Sequence, residues 1–255
     1  MMRLAEAAQL LGARRTGADT GFSAVSTDTR SLTGGELFVA LRGERFDGHA
    51  FLVAAKAAGA VAAMVDQRYA GPAPLPLIAV ADTRRGLGAL AQHWRARFSP
   101  VLVAVTGSNG KTTTKEMLAA ILRRHGGDEG VLVTAGNLNN DIGVPLTLLR
   151  LRQAHRYCAI ELGMNHKGEI AYLAGIARPT IALVNNAQRE HLEFMGSVEE
   201  VATENAGVYG ALPANGVAVV NADDAHAALF RAAAGERRVI DFGLEAPAMI
   251  RGGYA

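Results

Sequence analysis

The chain has 255 residues, enough for one large domain or two smaller ones, and 49% of them are hydrophobic, enough to fill a core. A formal net charge of +2 makes no electrostatic case for a nucleic acid or an anionic membrane surface. The single cysteine, Cys158, excludes an internal disulfide framework; it lies in an apolar run and reads as a core thiol.

No apolar stretch approaches the roughly 20 residues that span a bilayer. Residues 1–12 carry Glu6 and lack a long apolar centre, so they read as a short amphipathic helix and not as a signal peptide. A cytoplasmic protein is expected. Further along, strand-like runs occupy residues 36–41, 60–65 and 77–80. Residues 49–59 look helical, with Phe51, Leu52, Ala55 and Ala58 on one face, and 71–76 form a Pro-rich loop. A helix over 83–98 takes Asp82 or Thr83 as its cap and breaks at Ser99-Pro100, a natural domain boundary.

From residue 101 the rhythm becomes strand–helix alternation. Strands are predicted at 101–105, 131–134, 157–161, 181–184, 217–221 and 239–242. Helices are predicted at 112–125, for about a turn after Pro145, and at 168–177, 198–209 and 225–233. The expected fold class is α/β: a small N-terminal α/β domain, then a mostly parallel sheet with helices on both faces. Ligands of such sheets bind beyond the carboxyl ends of the strands, where Thr106, Thr134, Glu161, Asn185 and Asn186 fall. Residues 243–255 close nothing, and the chain reads as a fragment.

Residues 106–112, Thr-Gly-Ser-Asn-Gly-Lys-Thr, join a β-branched run to a helix in the layout of a phosphate-binding loop. Gly107 and Gly110 allow backbone geometry that a side chain would block, and the loop and first-turn amides can point at phosphate oxygens. Lys111 can reach terminal phosphates and the Thr112 hydroxyl can ligate Mg²⁺. The general motif has four residues between the first Gly and the Gly-Lys pair; here only Ser108 and Asn109 intervene. The nucleotide contacts are therefore assigned to Thr106, Gly107, Ser108, Asn109, Gly110, Lys111, Thr112 and Thr113. The competing interpretation is a Gly-rich turn with a chance lysine.

Glu161 ends a strand across the sheet from this loop, where a carboxylate suits Mg²⁺. Residues 185–195 form a polar loop with His191. Residues 134–146 crowd Asn137, Asn139, Asn140 and Asp141 between a strand and a Pro-initiated turn: a connector, or a set of amides for a sugar- or peptide-like ligand. By residue type alone, 26–30 and 41–51 are turns with solvated faces.

Together these segments resemble the Mur ligases of bacterial cell-wall synthesis. The resemblance is carried by residues 27–30, 36–49, 106–112, 136–145, 161–170 and 221–224, in the family's order. The short phosphate loop is the usual form there. The resemblance implies a UDP-sugar-peptide domain over 1–99 and an ATP-binding central domain over 100–255, cut before its end, with a third domain absent. It implies an ATP-dependent ligase of peptidoglycan precursor synthesis, acting as a monomer without nucleic acid or membrane. The run 136–145 points to the member that joins D-alanyl-D-alanine to UDP-N-acetylmuramoyl-tripeptide. A sibling that adds one amino acid, or a non-catalytic binding fragment, are the alternatives.

By that resemblance Lys111, Glu161 and His191 are catalytic, and Thr112, Glu161 and His191 hold magnesium. Thr27, Asp28, Arg30, Arg42, Gly43, Asn137, Asn139, Asn140, Asn165 and His166 contact the UDP-linked substrate. One departure stands out. The family's carbamylated lysine, which bridges a second magnesium, falls at Asn205, and no lysine follows Lys167. Either Glu204 substitutes, or the second metal is held more loosely.

Overall fold

The computed structural model describes residues 1–44, 46–189 and 195–253, which fall into two compact units. The first comprises Met1–Ala96 and Leu148–Arg150; the second comprises Arg97–Thr147 and Leu151–Ala255.

In the first unit, β1 (Met2–Arg3) leads into α1 (Leu4–Leu10) and pairs antiparallel with β3 (Gly21–Phe22). The main sheet contains β2 (Arg14–Thr16), β4 (Ala24–Ser26), β5 (Glu36–Val39), β6 (Ala62–Asp66) and β7 (Leu77–Val80). Its order is β2-β7-β6-β5-β4, parallel throughout except for β2 against β7. Central β5 and β6 are buried along their whole length, which is why they read as unbroken apolar runs. A core of Phe38, Leu52, Ala55, Ala63, Val65 and Leu77 packs around them.

Two helices complete this unit. The helix expected over 49–59 is a 3₁₀ turn, Gly48–Phe51, followed by α2 (Leu52–Ala57). Asp47 causes the tight start: its carboxylate accepts the His49 N–H at 3.0 Å. The last is α3 (Thr83–Arg95), and of the two possible caps Asp82 is the one used, accepting the N–H groups of Arg84 and Arg85.

The second unit holds β8 (Val101–Thr106), α4 (Lys111–Gly126), β9 (Val131–Val133), α5 (Gly143–Leu148), β10 (Tyr157–Glu161) and α6 (Glu169–Ala177). Then follow β11 (Ile181–Val184), α7 (Val198–Ala206), β12 (Val217–Asn221), α8 (Ala227–Ala234), β13 (Arg238–Gly243) and β14 (Ile250–Arg251). Among the described residues seven strands form one sheet, β14-β13-β12-β11-β8-β10-β9, with every pair parallel. The right-handed crossovers expected of parallel strands put α4 on one face, and it packs against β8, β9 and β10. They put α6, α7 and α8 on the other, where α7 packs on both neighbours. The chain leaves β8 toward β9 but leaves β11 toward β12, so the topological switch point lies between β8 and β11.

Three expectations need correction. Helix α5 starts at Gly143, not after Pro145, because Asn140 Oδ1 accepts the N–H groups of Ile142 and Gly143 and Pro145 sits harmlessly in the first turn. Helix α7 ends at Ala206 and tightens to a 3₁₀ turn over Gly207–Ala211. The run after Phe242 is structured: the Asp223 carboxylate accepts the N–H groups of Leu244, Glu245 and Ala246, and β14 pairs with β13.

Candidate functional site

The loop between β8 and α4 is the candidate phosphate cradle. Gly107 (φ 129°) and Gly110 (φ 75°) both take left-handed backbone conformations that favour glycine. A Cβ at Gly107 would sit 3.0 Å from the backbone nitrogens of Asn185 and Asn186. Lys111 opens α4, and its ammonium folds back to donate to the carbonyls of Gly107 (2.5 Å) and Ser108 (2.9 Å). Thr106 and Ser108 are buried, while Asn109, Thr112 and Thr113 are exposed in the loop and the first turn of α4.

The segment after β11 braces this loop across the switch point. Asn185 N–H donates to Thr106 O, and Ser108 N–H donates to Asn186 O. The Asn109 carbonyl accepts from the side-chain amides of both Asn185 and Asn186, each at 3.2 Å. Asn109 itself donates to Asn186 Oδ1 through its backbone and to Gln188 Oε1 through its side chain. Asn185 is fixed in turn by Asn221, whose amide donates to its carbonyl, and Asp224 accepts the Ala187 N–H. This explains why an Asn-Ala-Asp-Asp run at the end of β12 belongs with a phosphate loop so distant in sequence.

Glu161, at the end of β10, is 2% exposed. Its Oε2 accepts the Thr112 hydroxyl at 2.9 Å and its Oε1 accepts the Asn139 amide at 2.8 Å. Its N–H donates to Thr134 Oγ1, tying two strand ends together. Gly163 makes room for Asn139: a Cβ there would lie 2.8 Å from the Asn139 side chain. Thr112 and Glu161 form an all-oxygen donor pair beside the phosphate cradle, which suits a hard divalent cation completed by phosphate oxygens. Their adjacency is the fit expected for magnesium.

The remaining predicted residues of the second unit are placed elsewhere. Asn137 is exposed, and its carbonyl accepts the Asn139 N–H. Asn140 is the cap of α5. Asn165 and His166 are exposed, and their N–H groups donate to Glu169 Oε2 at the start of α6. The Glu169 carboxyl is partly buried, which works against ionisation, but these hydrogen bonds prevail and hold it below its usual range. His191 lies outside the described residues.

Asn205 and Glu204 have structural occupations. Asn205 is fully buried, accepts the Thr106 hydroxyl at 2.7 Å and donates to Val201 O. The two oxygens of Glu204 accept the N–H groups of Gly168 and Ile170. Glu204 thus caps α6. Among the described residues no group of three or more His, Cys, Asp or Glu side chains could hold a metal.

In the first unit, Asp28 caps the 3₁₀ turn Thr29–Ser31 and takes Arg30 in a bidentate pair. The Arg30 side chain, then its N–H, hold the Asp28 carboxyl at about 2. Thr27, just before, is half-buried. Arg42 donates twice to Asp47 Oδ2, and Gly43 leaves space for the Phe46 ring. Burial opposes ionisation of Asp47, but the His49 N–H and ring and the Arg42 guanidinium prevail and hold it at about 2. The buried His49 ring also accepts the Asp66 N–H at 2.9 Å, linking this loop to β6. Arg42, His49, Asp66, Arg68 and the start of α3 line a polar cavity of about 290 Å³.

Sequence patterns reflect this arrangement. The profile of the Mur ligase middle domain matches residues 105–253, more than half of the chain. The chain belongs to the Mur ligase family. A second profile of the same family, its catalytic domain, matches residues 21–95. The chain is 48% identical to the UDP-N-acetylmuramoyl-tripeptide–D-alanyl-D-alanine ligase of Escherichia coli strain K12 over 94% of its own length and 52% of that protein's. It is 46% identical to the Haemophilus influenzae protein of the same name, covering 86% of this chain and 48% of that one. This Mur ligase chain thus spans about half the length of the curated relatives it matches.

Solved structures agree. MurF from Acinetobacter baumannii superposes with a TM-score of 0.87 at 36% identity, covering 95% of this chain and 53% of that one. MurF ligase from Thermotoga maritima in complex with ADP superposes with a TM-score of 0.77 at 32% identity, covering 88% and 51%.

Residues that sequence reasoning missed are the supports: Gln188, Gly163 and the buried Lys115. Lys115 had one visible signal, its i+4 spacing from Lys111 on the same helix.

Proposed function

We propose that this chain is the nucleotide-sugar-binding and ATP-binding part of a ligase that joins D-alanyl-D-alanine to UDP-N-acetylmuramoyl-tripeptide in peptidoglycan precursor synthesis. The observation that carries the reading is the meeting of Thr112 with buried Glu161 at 2.9 Å beside a Lys111-bearing phosphate cradle. Similarity to relatives named for that activity selects the substrates. Residues 1–99 take the UDP-linked peptide, with Thr27, Asp28, Arg30, Arg42 and Gly43 in the segments that meet it. Residues 100–255 take ATP, with Asn137, Asn139, Asn140, Asn165 and His166 toward the peptide. The protein works as a monomer in the cytoplasm, with no nucleic acid or membrane partner; among the described residues no helix is long and apolar enough to cross a membrane.

The chemistry follows from a difficulty: a carboxylate is a poor electrophile at neutral pH. An oxygen of the tripeptide's terminal carboxylate attacks the γ-phosphorus of ATP, the bond to the β-phosphate oxygen breaks, and ADP leaves. The amine of D-alanyl-D-alanine then attacks the acyl phosphate carbon, phosphate leaves, the amine loses a proton, and an amide forms. The loop amides and the first turn of α4 cradle the phosphates. Lys111 exchanges its loop carbonyls for phosphate oxygens and offsets the charge that spreads over the transferring group. Thr112 and Glu161 hold magnesium, which when bound neutralises phosphate charge. Asn139 keeps the Glu161 carboxylate turned toward Thr112.

Phosphate release from ATP tests the reading in the chain extended to its relatives' full length. Release that requires both the UDP-linked tripeptide and the dipeptide supports it. Release that ignores the tripeptide, or a single amino acid that replaces the dipeptide, overturns it.

A further inference from the structure

Lys115 is the one lysine of α4 buried completely, at 0% exposure. A buried ammonium needs partners. Lys115 Nζ donates to Thr134 O at 2.9 Å and lies 3.5 Å from Gly136 O. It is 3.9 Å from Glu161 Oε2, the oxygen that accepts the Thr112 hydroxyl. It also meets Glu116 Oε1 at 2.9 Å, but the Glu116 side chain is 54% exposed and water screens that pair. The coupling to Glu161, itself 2% exposed, runs through a low-dielectric interior and is the stronger per unit distance.

The cation site therefore contains one buried carboxylate and, just behind it, one buried ammonium. We propose that Lys115 is a positioning residue that keeps the Thr112–Glu161 site electrically balanced, so that a divalent cation enters only together with a nucleotide's phosphates. The proposal rests on the reading that Thr112 and Glu161 receive such a cation. A bare divalent ion there would face a pre-neutralised carboxylate and the nearby Lys111 ammonium. Phosphate oxygens both supply ligands and restore the negative charge the site lacks. The carbonyls of residues 134 and 136 anchor the ammonium so that it cannot swing away when the cation arrives.

A purely structural Lys115 makes the opposite prediction. If it only pins the 134–136 segment, its loss loosens Glu161 and weakens cation binding. The proposal requires its loss to strengthen binding in the absence of nucleotide.

The test is a titration of the chain with Mn²⁺, following free ion by electron paramagnetic resonance, with and without ADP. With the depletion caused by ADP alone subtracted, the wild type is expected to deplete free Mn²⁺ only when ADP is present. Lys115→Met is expected to bind Mn²⁺ without nucleotide at least about tenfold more tightly than the wild type, because a like charge about 4 Å from the ligating Glu161 oxygen is removed. Lys115→Arg and Glu116→Gln should show no such gain, and adding Glu161→Gln to Lys115→Met should abolish it. Should circular dichroism show Lys115→Met unfolded, Lys115→Gln removes the charge with less loss of polarity and is read the same way. Nucleotide-free binding that is equal or weaker in the charge-removing variant, with ADP-dependent binding intact in the wild type, overturns the proposal and leaves the cation reading standing. ADP-dependent Mn²⁺ binding that is indifferent to Glu161→Gln overturns both.

Discussion

The Thr106 hydroxyl donates to the Asn205 side-chain oxygen at 2.7 Å, with 1% and 0% of the two residues exposed. One residue closes the central strand β8 and opens the phosphate loop; the other lies on α7, the helix that follows the loop after β11. The Asn205 amide completes the link by donating to Val201 O within its own helix. A residue that the family resemblance marks as a lost metal bridge is here a buried clamp under the loop.

Asn205→Ala should therefore destabilise the chain by about 1–3 kcal/mol, because the Thr106 hydroxyl is left buried without its acceptor. The double variant Thr106→Val with Asn205→Leu should recover most of that loss, since it removes both polar groups. Urea unfolding of Asn205→Ala, of the singles Thr106→Val and Asn205→Leu, and of their double measures this. Additive losses would remove the clamp.

Gly107→Ala attacks the same loop from its backbone. The native φ of 129° is hostile to a side chain, and the new Cβ would press on the backbone nitrogens of Asn185 and Asn186 at 3.0 Å. Those are backbone atoms and cannot rotate aside. The expected cost is about 1–3 kcal/mol of strain, with loss of ADP binding in a calorimetric titration. A variant that binds ADP like the wild type would show that the loop tolerates another conformation.

Lys111→Ala should abolish ADP binding while leaving the fold intact. Its ammonium contacts the carbonyls of Gly107 and Ser108 in its own loop. The two readouts are calorimetry for the nucleotide and thermal unfolding for the fold. Retained ADP affinity would refute its role at the phosphates.

The central strands were legible as short apolar runs: 157–161, 181–184 and 217–221 match β10, β11 and β12 residue for residue, with β10 buried nearly throughout and β11 and β12 buried on alternate residues. The edges were not. Arg14–Thr16 is exposed at every position and joins the sheet through its backbone alone, and β14 is likewise exposed. The strand–loop–helix layout over 101–126 and the place of Glu161 at a strand end were legible from spacing and strand order. The capping role of Asn140 was not, because asparagine chemistry serves a ligand and a helix cap equally well, and only the positions of the Ile142 and Gly143 N–H groups reveal the cap. Lys115 reads as an ordinary helix lysine until the 134–136 segment is seen to cover it.

Acid should loosen the first unit through its paired carboxylates. Asp47 is held at about 2 in the folded chain, below the ordinary carboxylate range. A depressed folded value means the stabilisation is full above the unfolded value, about pH 4, and is lost as pH falls toward about 2. Asp47 is 43% exposed, so water screening keeps the contribution small. The difference in Tm between wild type and Asp47→Asn should therefore be constant above about pH 4 and shrink below it. A difference that does not change with pH would remove the Arg42–Asp47–His49 cluster as its source.

Gly163 is the least conspicuous residue on which the proposed cation site depends. Its missing side chain lets Asn139 pass at a distance where a Cβ would lie 2.8 Å from the amide carbon. That approach brings Asn139 Nδ2 to Glu161 Oε1, and the Gly163 N–H secures it by donating to Asn139 O. Gly163→Ala should push the Asn139 side chain off Glu161 and cost about 1–3 kcal/mol, as overpacking does. Asn139→Ala should cost a similar amount by deleting the same hydrogen bond to a charged group. Because both act on one contact, the double variant should lose little more than either single, a non-additivity that thermal or urea unfolding resolves. Full additivity would mean that Gly163 and Asn139 act separately and that the glycine matters for some reason other than the reach of Asn139 to Glu161.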